Sequence, residues 1–206
     1  MFDVENISTV TVIGFGTMGL GIVQSFAEAG FEVRAVDQNQ EALDRGLSLL
    51  KANLELGHEE GLISDPEAAL DKVSGFLFDN LSDAAAGAEV VIETVPEILD
   101  LKRSVFDALD GLATDVLIGS NTSSFTITQM TDGMKTAERV VGLHYFNPAH
   151  LIPAVEVHHG KDTSQDAIDA MMQIMLKTGK EPVRVRKEIP GFIINRLTGA
   201  MEREVD

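Results

Sequence analysis

Three glycines, Gly14-x-Gly16-x-x-Gly19, fall where an apolar run, "TVTVIG" (9–14), gives way to a helical pattern, "MGLGIVQSFAEAG", closed by Gly30. A strand that feeds a helix through such a turn is the opening of a dinucleotide-binding unit. Gly14 permits the tight turn, Gly16 lets a pyrophosphate approach the backbone, and Gly19 lets helix and strand pack closely. Thr17 and Met18 complete the turn. The phosphates then sit on the helix N-terminus, where free N–H groups and the dipole favour anions. A second apolar run, "FEVRAVD" (31–37), ends on Asp37, 18 residues past Gly19. A carboxylate there accepts from both ribose hydroxyls and repels a 2′-phosphate. Gln38 and Asn39 come next with no Arg to receive that phosphate, so the expected cofactor is NAD rather than NADP. Arg34 lies opposite Val33 in the strand alternation and is expected to point to solvent.

The alternation of apolar runs and helical patterns continues along the chain. Helices are expected over about 40–56, from Pro66, over "PEILDLKRSVFDALDG" between Pro96 and Gly111, and over about 164–178. Met171, Met172 and Met175 fall in the core of the last of these. Further strands are expected at "GFLF" (75–78), "AEVVIET" (88–94), "DVLIGSN" (115–121), "RVVGLHYF" (139–146), "AVEVHHG" and "PVRVRK". This order predicts an α/β fold: a Rossmann-like, doubly wound, mostly parallel sheet with helices on both faces, followed by one C-terminal helix. The pattern changes near Pro190-Gly191. We therefore divide the chain into a dinucleotide-binding domain over residues 1–190 and a helical segment over 191–206. Its apolar residues Phe192, Ile193, Ile194, Leu197, Ala200 and Met201 form an i, i+3, i+4 stripe.

Composition narrows the function. At 44% hydrophobic residues the chain has enough apolar side chains for a buried core. The absence of cysteine excludes disulfides, thiolate metal sites and a cysteine nucleophile. A net charge of −17 argues against a nucleic-acid partner, which needs a basic surface. No apolar run reaches the roughly 18–20 residues of a membrane helix, and "MFDVENIST" lacks a signal-peptide pattern, so a cytoplasmic protein without a membrane partner is expected. His158 and His159 are adjacent on a strand and face opposite ways, so no metal site is expected.

Three later segments carry polar groups beyond what nucleotide binding needs: "SNTSS" (120–124), "LHYFNPAHLIPAVEV" (143–157) and "GFIINRL" (191–197). Together with the glycine turn they resemble the L-3-hydroxyacyl-CoA dehydrogenase family, over essentially the whole chain. The resemblance implies that His144 is the base that takes the proton of a substrate hydroxyl. It makes Glu156 the carboxylate that orients His144, and Ser123 and Asn195 the groups that hydrogen-bond the substrate oxygen. Asn121, Glu97, Lys102 and Asn147 match positions near the nicotinamide ribose or supporting the site. Ser48 and Lys51 are placed to hold the CoA part of a substrate. The family's lysine position falls on Glu55, and Lys51 lies one turn earlier.

The family reaction is NAD-dependent oxidation of the 3-hydroxyl of a 3-hydroxyacyl-CoA, as in fatty-acid β-oxidation. "LIPAVEV", "VPEILDLKR" and Glu55 also resemble the λ-crystallin and L-gulonate 3-dehydrogenase branch, which oxidises free 3-hydroxy acids. "HYFNP" favours the acyl-CoA branch. In this family an all-helical domain comes next, mediating homodimerisation and closing over the acyl group; residues 191–206 match its first helix. If that domain is missing, the chain is an NAD-binding fragment without useful turnover.

Overall fold

The structure is a computed structural model and describes residues 2–111 and 116–205. Asp115, the first residue of one expected strand, and Asp206, the last of the expected helix, lie outside the described residues. The elements run β1 (Thr9–Ile13), α1 (Thr17–Glu28), β2 (Glu32–Asp37), α2 (Gln40–Glu59), α3 (Pro66–Asp71), β3 (Val73–Leu77) and α4 (Leu81–Ala85). They continue through β4 (Val90–Glu93), α5 (Leu99–Asp110), β5 (Leu117–Ser120), α6 (Ile127–Met130) and β6 (Val140–Tyr145). The last are β7 (Ala154–His159), α7 (Gln165–Lys177), β8 (Glu181–Arg184) and α8 (Ile194–Val205).

The strands form one sheet in the order β3-β2-β1-β4-β5-β6-β7-β8. The first six are parallel; β7 runs antiparallel to β6, and β8 runs with β7. The eight residues between β6 and β7 are too few for a parallel crossover, which takes a dozen or more, so the chain must reverse there.

Period-two alternation divides the core into two layers. Val10, Val12, Val90, Ile92, Leu117, Val141 and Leu143 pack with α1, α2 and α7 on one face. Ile13, Val36, Val91, Ile118 and Val140 pack with α4, α5 and α6 on the other. A strand covered on both faces reads as an unbroken apolar run, which is why these strands are visible in the sequence. Met171 and Met175 are buried in the first layer, as expected of α7.

The strand order reverses at β1 and β4. The β1–α1 turn and the segment after β4 therefore face one another across a crevice at the carboxyl ends of the strands.

Arg34 departs from expectation. It lies on the α4 face of β2, and its Nη1 donates to the carbonyls of Ala86 at 2.5 Å, Ala84 at 3.0 Å and Asp83 at 3.4 Å. Those carbonyls lie at the C-terminal end of α4, where the helix dipole favours a cation. Helix α8 begins two residues later than the sequence pattern suggests. Phe192 is buried, whereas Ile194, Leu197 and Met201 are exposed, so the stripe splits at its first residue.

Replacing Arg34 by Met removes its three hydrogen bonds to the end of α4. Urea unfolding of Arg34→Met is expected to show a loss of about 1–2 kcal/mol at unchanged slope.

Candidate active site

The cofactor end of the crevice is built by close backbone approach. Gly14 turns at φ 98°. Its N–H donates to the Val36 carbonyl at 2.8 Å, and its carbonyl accepts from Thr94 Oγ1 at 2.6 Å. A side chain at Gly19 would place Cβ 1.8 Å from the Gly14 carbonyl oxygen, so only glycine lets α1 come this close to the turn. A Cβ at Gly16, by contrast, would meet nothing within 4 Å. The turn is therefore tight where strand and helix meet and open where a pyrophosphate would lie. No side chain caps the N-terminus of α1, which leaves N–H groups for an anion.

Asp37 ends β2 beside this turn. Its Oδ2 accepts from Phe15 N–H and its Oδ1 from Gln38 N–H, at 2.8 and 2.7 Å. The carboxylate thus pins the glycine turn as well as facing the cleft, and it retains lone pairs for ribose hydroxyls. The cleft has a volume of about 1180 Å³ and is lined by Gly14, Gly16, Thr17, Met18, Asp37 and Gln38 at this end. That exceeds the roughly 300–1,000 Å³ of a site for a drug-sized ligand, as a dinucleotide requires. The residues fit NAD: an open glycine edge, an uncapped helix start, and a carboxylate at the ribose end.

The other end of the same cleft is lined by Glu97, Asn121, Ser123, His144 and Asn147. The antiparallel register places His144 directly opposite Glu156. Directly opposed residues project from the same face, and His144 Nδ1 lies 2.7 Å from Glu156 Oε2 with both side chains almost fully buried. Nδ1 therefore carries the proton in the neutral ring, and Nε2 is the nitrogen left to accept one. The second oxygen of Glu156, Oε1, accepts from the N–H groups of Ile193 and Ile194, both at 2.9 Å. One carboxylate thus holds the imidazole and the first turn of α8.

Glu97 is the hub of the facing wall. Its Oε1 accepts from Thr122 Oγ1 at 2.6 Å, Ser124 Oγ at 2.8 Å, and the N–H groups of Ser123 and Ser124 at 2.9 Å. Burial pushes the Glu97 carboxyl up. Hydrogen bonds from Thr122, Ser124 and Ser123, with the Lys102 ammonium, outweigh burial and hold it down to about 2. Asn195 Nδ2 donates to the Ser123 carbonyl at 2.9 Å, joining two segments 72 residues apart.

Six of the sequence-derived site residues lie elsewhere than on the cleft wall: Gly19, Ser48, Lys51, Lys102, Glu156 and Asn195. Lys102 is fully buried, paired with Glu93 at 2.8 Å and Glu97 at 3.3 Å. It supports the wall from behind, through these two carboxylates. Glu156 is likewise behind His144. Ser48 and Lys51 are not brought to the cleft: Ser48 Oγ donates to the Asp44 carbonyl, and Lys51 pairs with Glu55. The face of α2 that meets the cleft carries Arg45, Leu49 and Asn53 instead.

Sequence reasoning missed Thr94, Glu93 and Phe192. Thr94 clamps the Gly14 carbonyl, and the buried Glu93 accepts from Ser120 Oγ at 2.6 Å and from Lys102. A polar residue at the end of each central strand was the available signal. Phe192 packs against the rings of His144 and His158, and its place in an apolar stripe concealed that role.

A family model described as "3-hydroxyacyl-CoA dehydrogenase, NAD binding domain" matches residues 9–189. The 5-formyl-3-hydroxy-2-methylpyridine 4-carboxylate 5-dehydrogenase of Mesorhizobium japonicum is 36% identical over 199 residues, covering 96% of this chain and 63% of that protein. A 3-hydroxybutyryl-CoA dehydrogenase of Clostridioides difficile is 36% identical, covering 95% of this chain and 69% of its own length. The crystal structure of 3-hydroxybutyryl-CoA dehydrogenase from Escherichia coli K12 superposes with a TM-score of 0.89 at 35% identity, over 98% of this chain and 44% of that one. The chain thus spans less than two thirds of the Mesorhizobium and Escherichia proteins.

The carboxyl of Glu97 is held below its ordinary value of 4.5 in the folded state. Its contribution to stability is therefore complete above about pH 4.5 and is lost as pH falls toward about 2. Glu97→Gln is expected to unfold at lower urea than the parent protein at pH 7. The gap between the two is expected to shrink as the pH is lowered through this window.

Proposed function

This chain belongs to the 3-hydroxyacyl-CoA dehydrogenase family, and we propose that it forms the NAD-binding half of an enzyme that oxidises the 3-hydroxyl of an L-3-hydroxyacyl-CoA to the ketone. The observation that carries this reading is the buried 2.7 Å bond between His144 and Glu156 at the end of a cleft whose other end is the glycine turn.

His144 Nε2 accepts the hydroxyl proton as the carbon is oxidised. Glu156 fixes the tautomer and stabilises the imidazolium that forms. NAD, when bound, supplies the hydride acceptor. Ser123, on the facing wall, and Asn195, tied to it, hold the substrate oxygen. Asn121 and Asn147 line the nicotinamide end, and Glu97 shapes the turn that presents Ser123. Lys102, in this reading, acts through Glu97 rather than on the cofactor.

We divide the chain into an NAD-binding unit up to residue 190 and a segment from 191 onward, whose helix α8 (Ile194–Val205) is read as the first helix of a helical domain. The exposed stripe of α8, with Leu197 at 57% and Met201 at 69% exposure, supports this division. Such a face is suited to packing against further helices and, through them, a second subunit. Among the described residues no helix is long and apolar enough to cross a membrane.

A second reading keeps the chemistry and changes the substrate to a free 3-hydroxy acid. Two observations favour it: Lys51, the cation placed for CoA, is paired with Glu55, and the Mesorhizobium relative is named for a pyridine carboxylate. NADH formation from 3-hydroxybutyryl-CoA, free 3-hydroxybutyrate and L-gulonate separates the readings. The first predicts turnover of the thioester alone. Turnover of a free acid instead supports the second, and NAD binding without any turnover supports a binding fragment. In an active protein, His144→Gln is expected to lower kcat by about 100-fold or more while leaving NAD affinity unchanged. Unchanged kcat would remove His144 from the base role.

A further inference from the structure

The geometry points to His158 as a positioning residue: its flat ring is wedged between the backbone of Gly142 and the ring of Phe192, and so sets the start of α8 and, through it, the Glu156–His144 pair. The importance of this for turnover rests on the reading of His144 as the base. The positioning itself does not.

Gly142 and His158 are register partners on β6 and β7, two residues along each strand from His144 and Glu156. A Cβ on Gly142 would fall 2.0 Å from the His158 ring, so the imidazole lies flat over bare backbone. The Phe192 ring stacks on its other side, with centroids 3.8 Å apart and planes 27° from parallel. Phe192 also touches His144, with centroids 5.5 Å apart.

Phe192 has φ 46°, a left-handed conformation that costs a non-glycine residue about 1–2 kcal/mol. The buried ring holds it there. The next two N–H groups then meet Glu156 Oε1.

The choice of histidine at this position is otherwise hard to account for. His158 is 1% exposed, and neither ring nitrogen has a hydrogen-bond partner among the described residues. Burying an unpaired polar group costs about 1–3 kcal/mol, which an aliphatic side chain would avoid. An aliphatic side chain, however, is thicker than a ring. It cannot occupy a gap one ring deep between a glycine backbone and a stacked phenyl without displacing one of them. Burial, and after it the charges of His144 and His159, lowers the His158 pKa to about 3, opposed by Glu97. The ring is therefore neutral near pH 7 and adds no positive charge beside His144.

Three variants of the full chain, studied by NMR without substrate, test this. The readouts are hydrogen exchange at the Ile193 and Ile194 amides and the ring Nδ1 proton of His144. Exchange at Val12 and Ile92 in the sheet is the control for folding. His158→Leu is expected to speed exchange at Ile193 and Ile194 by about tenfold or more and to lose the His144 proton signal to exchange, with the sheet amides unchanged. His158→Phe, which keeps a flat ring, is expected to preserve both signals. Phe192→Leu, which leaves His158 in place, is expected to reproduce the His158→Leu result. It decides the matter if His158→Leu does not fold. Wild-type behaviour of a folded His158→Leu, or of Phe192→Leu, would overturn the proposal. A wild-type chain that turns over no substrate would count against the dehydrogenase reading and leave these exchange results unaffected.

Discussion

The approach of Gly19 to Gly14 sets the geometry of everything around the cleft. The carbonyl of Gly14 occupies the space that a side chain at Gly19 would fill, so the first helix can begin directly over the end of the first strand. That closeness fixes the angle of α1 and opens the backbone edge at Gly16. It also places Thr94, the residue after β4, against the turn. Asp37 completes the joint by accepting from Phe15. A single carboxylate thereby ties the second strand to the turn at this end of the cleft.

A second carboxylate has the corresponding part at the far end. Glu156 has both oxygens engaged, one by His144 and the other by the first N–H groups of α8. The imidazole is thus tied mechanically to the segment that leaves the sheet. Whatever orients α8 also orients His144, and the Asn195–Ser123 contact reinforces this link from the opposite wall. In enzymes that close over their substrates, such shared hydrogen bonds make completion of the site depend on closure.

Much of this was legible in the sequence. The central strands are covered on both faces, so "TVTVI" and "VVIE" stand out as apolar runs, and the glycine spacing fixes the turn and the helix after the first of them. His144 and Glu156 were found through the family resemblance, and the antiparallel register explains why a separation of twelve positions brings them together. The short helices α4 and α6 were not legible, because four or five residues cannot display a helical period. The rotation of α2 about its axis was not legible either. Spacing shows that Arg45, Leu49 and Asn53 share a face, but only packing of Ala42 and Gly46 toward the turn shows which face meets the cleft. Arg34 and His158 escaped for the same reason. Their partners, Ala84 and Phe192, are brought by tertiary contact from 50 and 34 residues away.

In the proposed reading the glycine turn and Asp37 together form the NAD site, and the sheet carries the His144–Glu156 pair at the other end of the same cleft. Calorimetric titration of the chain and of Asp37→Ala with NAD and with NADP is the direct test of that site. The parent chain is expected to bind NAD at least about tenfold more tightly than NADP. In Asp37→Ala, NAD binding is expected to weaken and the difference to narrow, because both the ribose acceptor and the repulsion of a 2′-phosphate are gone. Equal affinity of the parent chain for the two dinucleotides, or an unchanged ratio in Asp37→Ala, would contradict this assignment.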